Sequence, residues 1–362
     1  MHILYYITAH GYGHGVRACT IANAFSDSVR VTFRTCLPEP FFAEEMDRPF
    51  SYYPGQFDCG CFQRDFVTID MQKTIAAYAE IDRRNERILG REVAWCKENH
   101  VTGIVADIPP FAFEVAARAD VPSVAATNFT WHTIYAPFAD RFPEFSPYVE
   151  KIKYQYSLAD CLLDISPASP MESFRKRISM PVVGRKGQDR RAAIAQAFGL
   201  QHDRKLALIY IGEYGMEDAN WKNLERFDQW DFFGVSSLPG APRNYHTIDK
   251  HVFAYQDFSA SSDLVISKIG YSTVAECMVN GVPLLYLPRT DFAEYPALEN
   301  AVRSWGGGHC LDAARYRNFE WDTVLARAFY RKKPYPADCT GALQCAATIE
   351  ALLASGKNAL VA

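Results

Sequence analysis

The chain has 362 residues, 49% apolar and 22% charged, with a formal net charge of −4. That composition suits a soluble globular protein of two domains, and the slight negative balance argues against a broad basic surface for nucleic acid or anionic membrane. Ten cysteines without a CxxC pair, no basic-then-apolar leader, and no apolar run near the roughly 20 residues of a spanning helix point to a reduced cytoplasmic protein without a transmembrane segment.

Strand-like and helix-like segments alternate along the whole chain. HILYYIT reads as a buried strand, VRACTIANAF as a helix and VRVTF as the next strand. A long helix is expected from Met71 to His100. Strand TGIVAD, helix FAFEVAARA, strand SVAAT and a short strand from Cys161 to Ile165 follow. SPASPMESFRKRISMPVVGRKGQ, rich in Ser, Pro and basic residues, reads as the break between halves. The second half repeats the style with strands KLALIYI, DFFGV and DLVIS, helix TVAECMVN and strand PLLYL. A closing helix is expected from Thr340 to Ser355. Such alternation predicts α/β architecture, with parallel sheets covered by helices on both faces. The expected domains are 1–184, 185–338 and a closing helix within 339–362.

In parallel α/β sheets ligands bind beyond the carboxyl ends of the strands, so function is sought in the loops there. The first is AHGYGHGVR. Gly11, Gly13 and Gly15 leave backbone N–H groups unobstructed at a helix N-terminus, and His10 and His14 can move a proton near neutral pH. The spacing is not the GxGxxG of a dinucleotide fold, and no acidic residue ends VRVTF to hold a ribose. The second is TGIVADIPP, where Asp107 could orient an imidazole or cap the next helix. The third is SKIGYSTVAE. Lys268 and Gly270 form a turn, Ser272 and Thr273 offer donors to a diphosphate, and Glu276 either reaches a ribose or is structural. IYIGEYG adds Gly212 and Gly215 as possible phosphate contacts. Arg185, Lys186 and Arg190 are either phosphate cations or linker charges.

DCGCFQRD is a fourth unusual block. Asp58, Gln63, Asp65 and Asp70 follow the aromatic stretch SYYPGQF, and polar groups beside aromatic faces suit a polyhydroxy acceptor. Cys59 and Cys61 with no nearby His do not make a metal site. TNFTWHTIY offers Asn128 and Trp131 to the same region, with core packing as the alternative for Trp131.

Together these blocks resemble the GT-B glycosyltransferases of the MurG and UDP-glycosyltransferase type, and in particular the glycosyltransferase-like N-terminal half of plant L-arabinokinase. The resemblance runs through YYITAHGYGHGVR, DCGCFQRD, ADIPP, TNFTWHTIY and KIGYSTVAE into LENA. It implies two Rossmann-like domains facing across a cleft. It also implies transfer of a sugar from a nucleotide diphosphate sugar, UDP-linked, to an acceptor hydroxyl, with inversion and with no metal or other cofactor.

By position the resemblance makes His14 the base and Asp107 its paired acid. Lys268 to Thr273 become the diphosphate loop, with Gly212 beside it, and Glu276 the ribose ligand. Tyr255 and Phe258 fall at the nucleotide base. Gly11, Gly13, Asp58, Gln63, Asp65, Asn128 and Trp131 fall on the acceptor side. Pro296 and Ala297 stand where relatives place sugar-binding acid and amide groups, leaving Glu294 or Glu299 as substitutes. No kinase-type phosphate loop occurs, so arabinose phosphorylation is not expected. The alternatives are a sugar-nucleotide-binding regulatory module, or an epimerase or hydrolase of the same fold. The acceptor and the oligomeric state are open.

Overall fold

The structure, a computed structural model, describes residues 1–64, 68–201, 203–210, 219–249, 251–330 and 334–360. The first sheet contains β1 (His2–Ile7), β2 (Arg30–Thr35), β3 (Ser51–Pro54), β4 (Gly103–Asp107), β5 (Ser123–Thr127), β6 (Cys161–Ile165) and β7 (Arg177–Met180). Their order is β3-β2-β1-β4-β5-β6-β7. The second contains β8 (Lys205–Tyr210), β9 (Trp230–Gly234), β10 (Tyr245–Thr247), β11 (Leu264–Lys268), β12 (Leu284–Leu287) and β13 (Gly308–Cys310), in the order β10-β9-β8-β11-β12-β13. Neighbouring strands are parallel in both sheets.

Helices α1 (Tyr12–Asn23), α2 (Glu39–Glu45), α3 (Met71–Glu98), α4 (Phe111–Ala119), α5 (Trp131–Tyr135) and α6 (Ser146–Ser157) belong to the first unit. Helices α7 (Arg191–Phe198), α8 (Tyr255–Ser261), α9 (Tyr271–Asn280), α10 (Tyr295–Trp305), α11 (Ala313–Arg317) and α12 (Asp322–Tyr330) belong to the second, and α13 (Gly341–Leu360) closes the chain. Among the described residues no helix is long and apolar enough to cross a membrane.

All six residues of β1 are buried, because a central parallel strand is covered on both faces and needs a continuous apolar run. The inward side of α3 repeats at helical spacing through Thr74, Tyr78, Ile81, Asn85, Leu89, Glu92 and Cys96. Glu92 is tolerated there because Arg34 meets it at 2.6 Å and the Tyr6 hydroxyl donates to it at 3.0 Å. A buried carboxylate without such partners would cost several kcal/mol.

In each sheet the strand order reverses beside the first strand, between β1 and β4 and between β8 and β11. That reversal opens a crevice at the carboxyl ends of the strands. Register sets Ile7 of β1 opposite Asp107 of β4, so Asp107 ends its strand at the foot of the first crevice.

The expected strands and helices are present, with instructive differences. The first helix begins at Tyr12, so His14 and Gly15 lie in its first turn instead of in a loop. Arg177–Met180, read as part of the break, is the edge strand β7. Its short, partly exposed pattern gave no alternation to recognise. The segment from Pro181 to Arg190 then runs to α7, with Arg185 inside it. Helix α13 returns to the first unit and packs on α1, β5, β6 and β7. Leu353 lies over Gly103, and Glu350 accepts from the Ser26 backbone and hydroxyl at 2.8 and 2.7 Å. One apolar cluster runs from β1 and α1 through α13 to α9, joining the two units.

Ile349 is fully buried in that joint. Replacing it with alanine is expected to cost about 2–5 kcal/mol, read as a lower denaturation midpoint in urea with an unchanged slope.

Candidate active site at the junction of the two units

The first turn of α1 stands over the carboxyl ends of β1 and β4. His14 and Arg17 are three residues apart on this helix, so they share a face, and both reach Asp107. His14 Nδ1 lies 2.8 Å from Asp107 Oδ1. Two lone pairs cannot face each other at that distance, so Nδ1 carries the proton and Nε2 is left bare. Arg17 grips the same carboxylate twice, Nε to Oδ2 at 2.7 Å and Nη2 to Oδ1 at 2.8 Å. Its Nη1 donates to Asn128 Oδ1 at 2.5 Å, and its guanidinium lies 4.5 Å from the centre of the Tyr271 ring in the second unit.

Burial works to raise the Asp107 pKa, but the charge of Arg17 and the hydrogen bonds from His14 and Arg17 outweigh it and hold the carboxyl below its usual range. The acid is therefore ionised wherever the protein is folded near neutrality. It holds His14 in one tautomer and would stabilise a protonated imidazole.

From the second unit, Gly270 begins α9 without a side-chain cap. The backbone N–H groups of Tyr271, Ser272 and Thr273 precede the first helical bond, which Val274 makes to Gly270. Such groups favour an anion. Lys268 ends β11 beside them. Burial and the charge of Arg289 lower its pKa to about 8. Arg289 follows β12, is buried over the Phe292 ring at 4.1 Å, and has its Nε sealed without a partner. Burial also lowers its pKa. Among the described residues neither cation is paired with a carboxylate. Nearby Glu294 is bonded instead by Asn128 Nδ2 at 2.7 Å. A half-buried and a buried cation acting on each other are costly unless an anion joins them.

The two units touch at the glycine loop. A Cβ on Gly13 would come within 2.5 Å of Ser272 Oγ. Gly13 therefore makes room for the other unit's helix N-terminus. Gly11 has φ of 89° and is exposed ahead of α1, a conformation that favours glycine.

Other expected site residues are placed differently. Asp58 accepts from Trp131 Nε1 at 2.7 Å and Thr8 Oγ1 at 2.8 Å, and both Asp58 and Trp131 are buried. They satisfy each other beneath the site and do not open towards an acceptor. Asn128 is also buried, bridging Arg17 to Glu294. Gln63 is half-buried in an isolated bridge with Ile69, and Asp70 caps α3 by accepting from the Lys73 backbone. Phe258 packs among Phe198, Phe233 and Phe253 in the core, so it is unavailable to a nucleotide base. Tyr255 remains half-buried at the start of α8, 5.8 Å ring to ring from Tyr210.

Glu276 is buried with Oε1 held by Arg185 at 2.6 Å, and Arg185 also grips both oxygens of Glu45 at 2.9 Å. Arg185 thus ties the units together and is not a phosphate cation. Lys186 is likewise committed to the Val279 carbonyl. Asp65, Gly212 and Gly215 lie outside the described residues. Arg17 and Arg289 are the site groups that reading the sequence missed. The spacing of Arg17 from His14 was the available signal for the first; nothing local marked the second.

No protein-family profile matches the chain. L-arabinokinase from Arabidopsis thaliana is 29% identical over 349 residues, covering 93% of this chain and 33% of that protein. The chain thus spans about a third of that relative's length. Among solved structures, the glycotransferase of kitacinnamycin superposes with a TM-score of 0.64 at 15% identity, covering 97% of this chain and 99% of that one. Phytolacca americana UGT2, solved with UDP-2-fluoro-glucose and pterostilbene, gives 0.60 at 11% identity, with 99% and 95% covered. A provisional UDP-N-acetylglucosamine 2-epimerase from Listeria monocytogenes gives 0.59 at 13% identity, with 98% and 97% covered. The chain has the GT-B fold of glycosyltransferases. That fold carries both transferases and epimerases, so function rests on the site.

Removing the Asp107 carboxylate would leave Arg17 buried and unpaired. Asp107→Ala is expected to cost about 3–5 kcal/mol by chemical denaturation. Because its folded pKa is lowered, Asp107 contributes full stability above its unfolded value near 4. That contribution is lost as pH falls through the folded value, so Asp107→Asn is expected to weaken the acid dependence of stability.

Proposed function

We propose that this chain is a glycosyltransferase that moves a sugar from a nucleoside diphosphate sugar to an acceptor hydroxyl. The observation that carries this reading is the meeting of a His14 whose Nε2 is bare with two cations, Lys268 and Arg289, that have no carboxylate partner among the described residues. A proton acceptor and an anion site facing one junction are what transfer from a phosphorylated donor requires.

In this reading the acceptor hydroxyl gives its proton to His14 Nε2 as its oxygen attacks the anomeric carbon. The bond from that carbon to the diphosphate oxygen breaks, and the electron pair leaves with the diphosphate. Asp107 stabilises the imidazolium without taking the proton. Lys268, Arg289 and the free amides of α9 receive the departing charge. These groups supply the compensation that a divalent ion provides in other sites, which supports a metal-independent reaction. A single displacement inverts the anomeric centre.

Glu276 Oε2 has no partner among the described residues and would accept from a ribose hydroxyl. Tyr255 would flank the base. We take that base as uracil, following the ligand of the Phytolacca neighbour. Cytoplasmic action on a small-molecule acceptor completes the proposal.

The likeness to an epimerase favours one further reading, in which a nucleotide sugar reacts without an acceptor. Incubating UDP-sugars alone and following changed sugar or released UDP separates the two. The transferase reading expects neither product until an acceptor is added.

His14→Ala is expected to reduce transfer to background while UDP binding, measured by calorimetry, stays within about twofold. Full turnover in that variant would end the proposal. Lys268 titrates near 8 in the free protein, and a bound diphosphate favours its charged form. UDP affinity is therefore expected to hold near neutrality and to fall as pH rises through about 8. Lys268→Met should bind more weakly and lose that dependence.

A further inference from the structure

Two features of the sequence have no part in the mechanism above: His10, and the DCGC block of Asp58 to Cys61. The structure brings them together. Cys61 N–H points at His10 Nδ1 from 3.3 Å. A backbone N–H can only donate, so Nδ1 is the accepting nitrogen and the ring proton sits on Nε2. The His10 backbone N–H donates to Thr8 Oγ1 at 3.2 Å, and that hydroxyl donates to Asp58. Gly60 has φ of 62°, and a Cβ there would come within 2.3 Å of His10 Nδ1. Its carbonyl is fixed by the Tyr135 hydroxyl at 2.6 Å. The imidazole stands edge-on to Trp131 at 5.3 Å and stacks on Phe292, from the second unit, at 6.0 Å.

Nε2 is the part of the ring this cradle leaves unused. It has no partner among the described residues, yet it is not one of the sealed atoms, and His10 is only half-buried. The charged and titratable groups acting on it are Arg289, His14 and Lys268. Burial and then these three groups push the His10 pKa down to about 3, so the ring is a neutral N–H donor at any working pH. The two histidines of the loop therefore have opposite tautomers. His14 faces a carboxylate and offers a lone pair; His10 faces a backbone N–H and offers a proton.

We infer that His10 binds the donor, giving a neutral hydrogen bond from Nε2–H to a phosphate oxygen held by Lys268 and Arg289, and that Asp58 to Cys61 form the cradle that sets its tautomer. The inference rests on the proposed sugar-nucleotide site. A phosphate oxygen is favoured over a sugar hydroxyl because the charged side chains acting on His10 are Arg289 and Lys268, which have no carboxylate partner among the described residues. A neutral donor adds to such a site without a third positive charge.

The test compares UDP with uridine by calorimetry in the wild-type chain, His10→Phe, and Lys268→Met/Arg289→Met. Phenylalanine keeps the ring contacts and removes the N–H. His10→Phe is expected to weaken UDP binding about tenfold or more and to leave uridine binding unchanged. Unchanged UDP binding, or equal losses for UDP and uridine, would overturn the inference. If the double variant loses UDP affinity while His10→Phe does not, only the role of His10 fails. If neither loses affinity, the anion site fails with it. Nitrogen-15 spectra of histidine-labelled wild-type protein give a readout independent of any variant's folding. His10 is expected with Nε2 protonated, and with that resonance moving on addition of UDP. An Nδ1-protonated or a charged His10, or a resonance that ignores UDP, would refute the assignment.

Discussion

Asp107 is the group around which the site is arranged. A fully buried carboxylate is unfavourable alone, because transfer out of water costs more than one hydrogen bond returns. Here it meets two donors from Arg17 and one from His14. Arg17 then extends the network to Asn128, and Asn128 to Glu294 of the second unit. The dyad and the junction are therefore parts of one hydrogen-bonded system. Arg17 Nη2 and His14 Nδ1 both bond Asp107 Oδ1, so the carboxylate that orients the imidazole is itself fixed by the guanidinium.

The junction depends on close backbone approach as much as on charge. Gly13 leaves space for Ser272, and Gly184 passes the backbone of Ala275 where a Cβ would come within 2.8 Å. Arg185 links Glu45 of α2 with Glu276 of α9, and the Arg17 guanidinium lies over Tyr271. These contacts bring the first turn of α1 against the N-terminus of α9. One helix start presents His14 Nε2, the other presents N–H groups with no partner among the described residues, and Lys268 and Arg289 add charge beside them.

Much of the fold could be read directly. The apolar runs of β1, β4, β5, β8, β11 and β12 are buried on both faces, and continuous hydrophobicity identifies such strands. The edge strands β3, β7, β10 and β13 are three or four residues long and half-solvated, so their pattern is too short to register. The chemical groups were partly readable too. His14 with Asp107, and Lys268 with the start of α9, sit at strand ends, where topology directs ligands. Asp58, Trp131, Asn128 and Phe258 are buried among protein partners, and one reason hid this in the sequence. A polar or aromatic residue in an unusual motif looks the same whether it faces a ligand or satisfies a neighbour in the core.

Residue order was therefore enough to specify two parallel α/β units and the strand ends at which chemistry would gather, since both follow from local periodicity; the choice of His14 and Asp107 came from the resemblance to a family. Which nitrogen of each histidine is free, that Arg17 shares the carboxylate, that Arg289 joins Lys268, and that DCGC cradles His10 were decided by tertiary packing. Each depends on contacts between segments far apart in the chain: 90 residues for Arg17 and Asp107, 51 for Cys61 and His10 and 166 for Asn128 and Glu294. Hydrogen-bond direction and burial arise from those meetings and have no counterpart in local sequence.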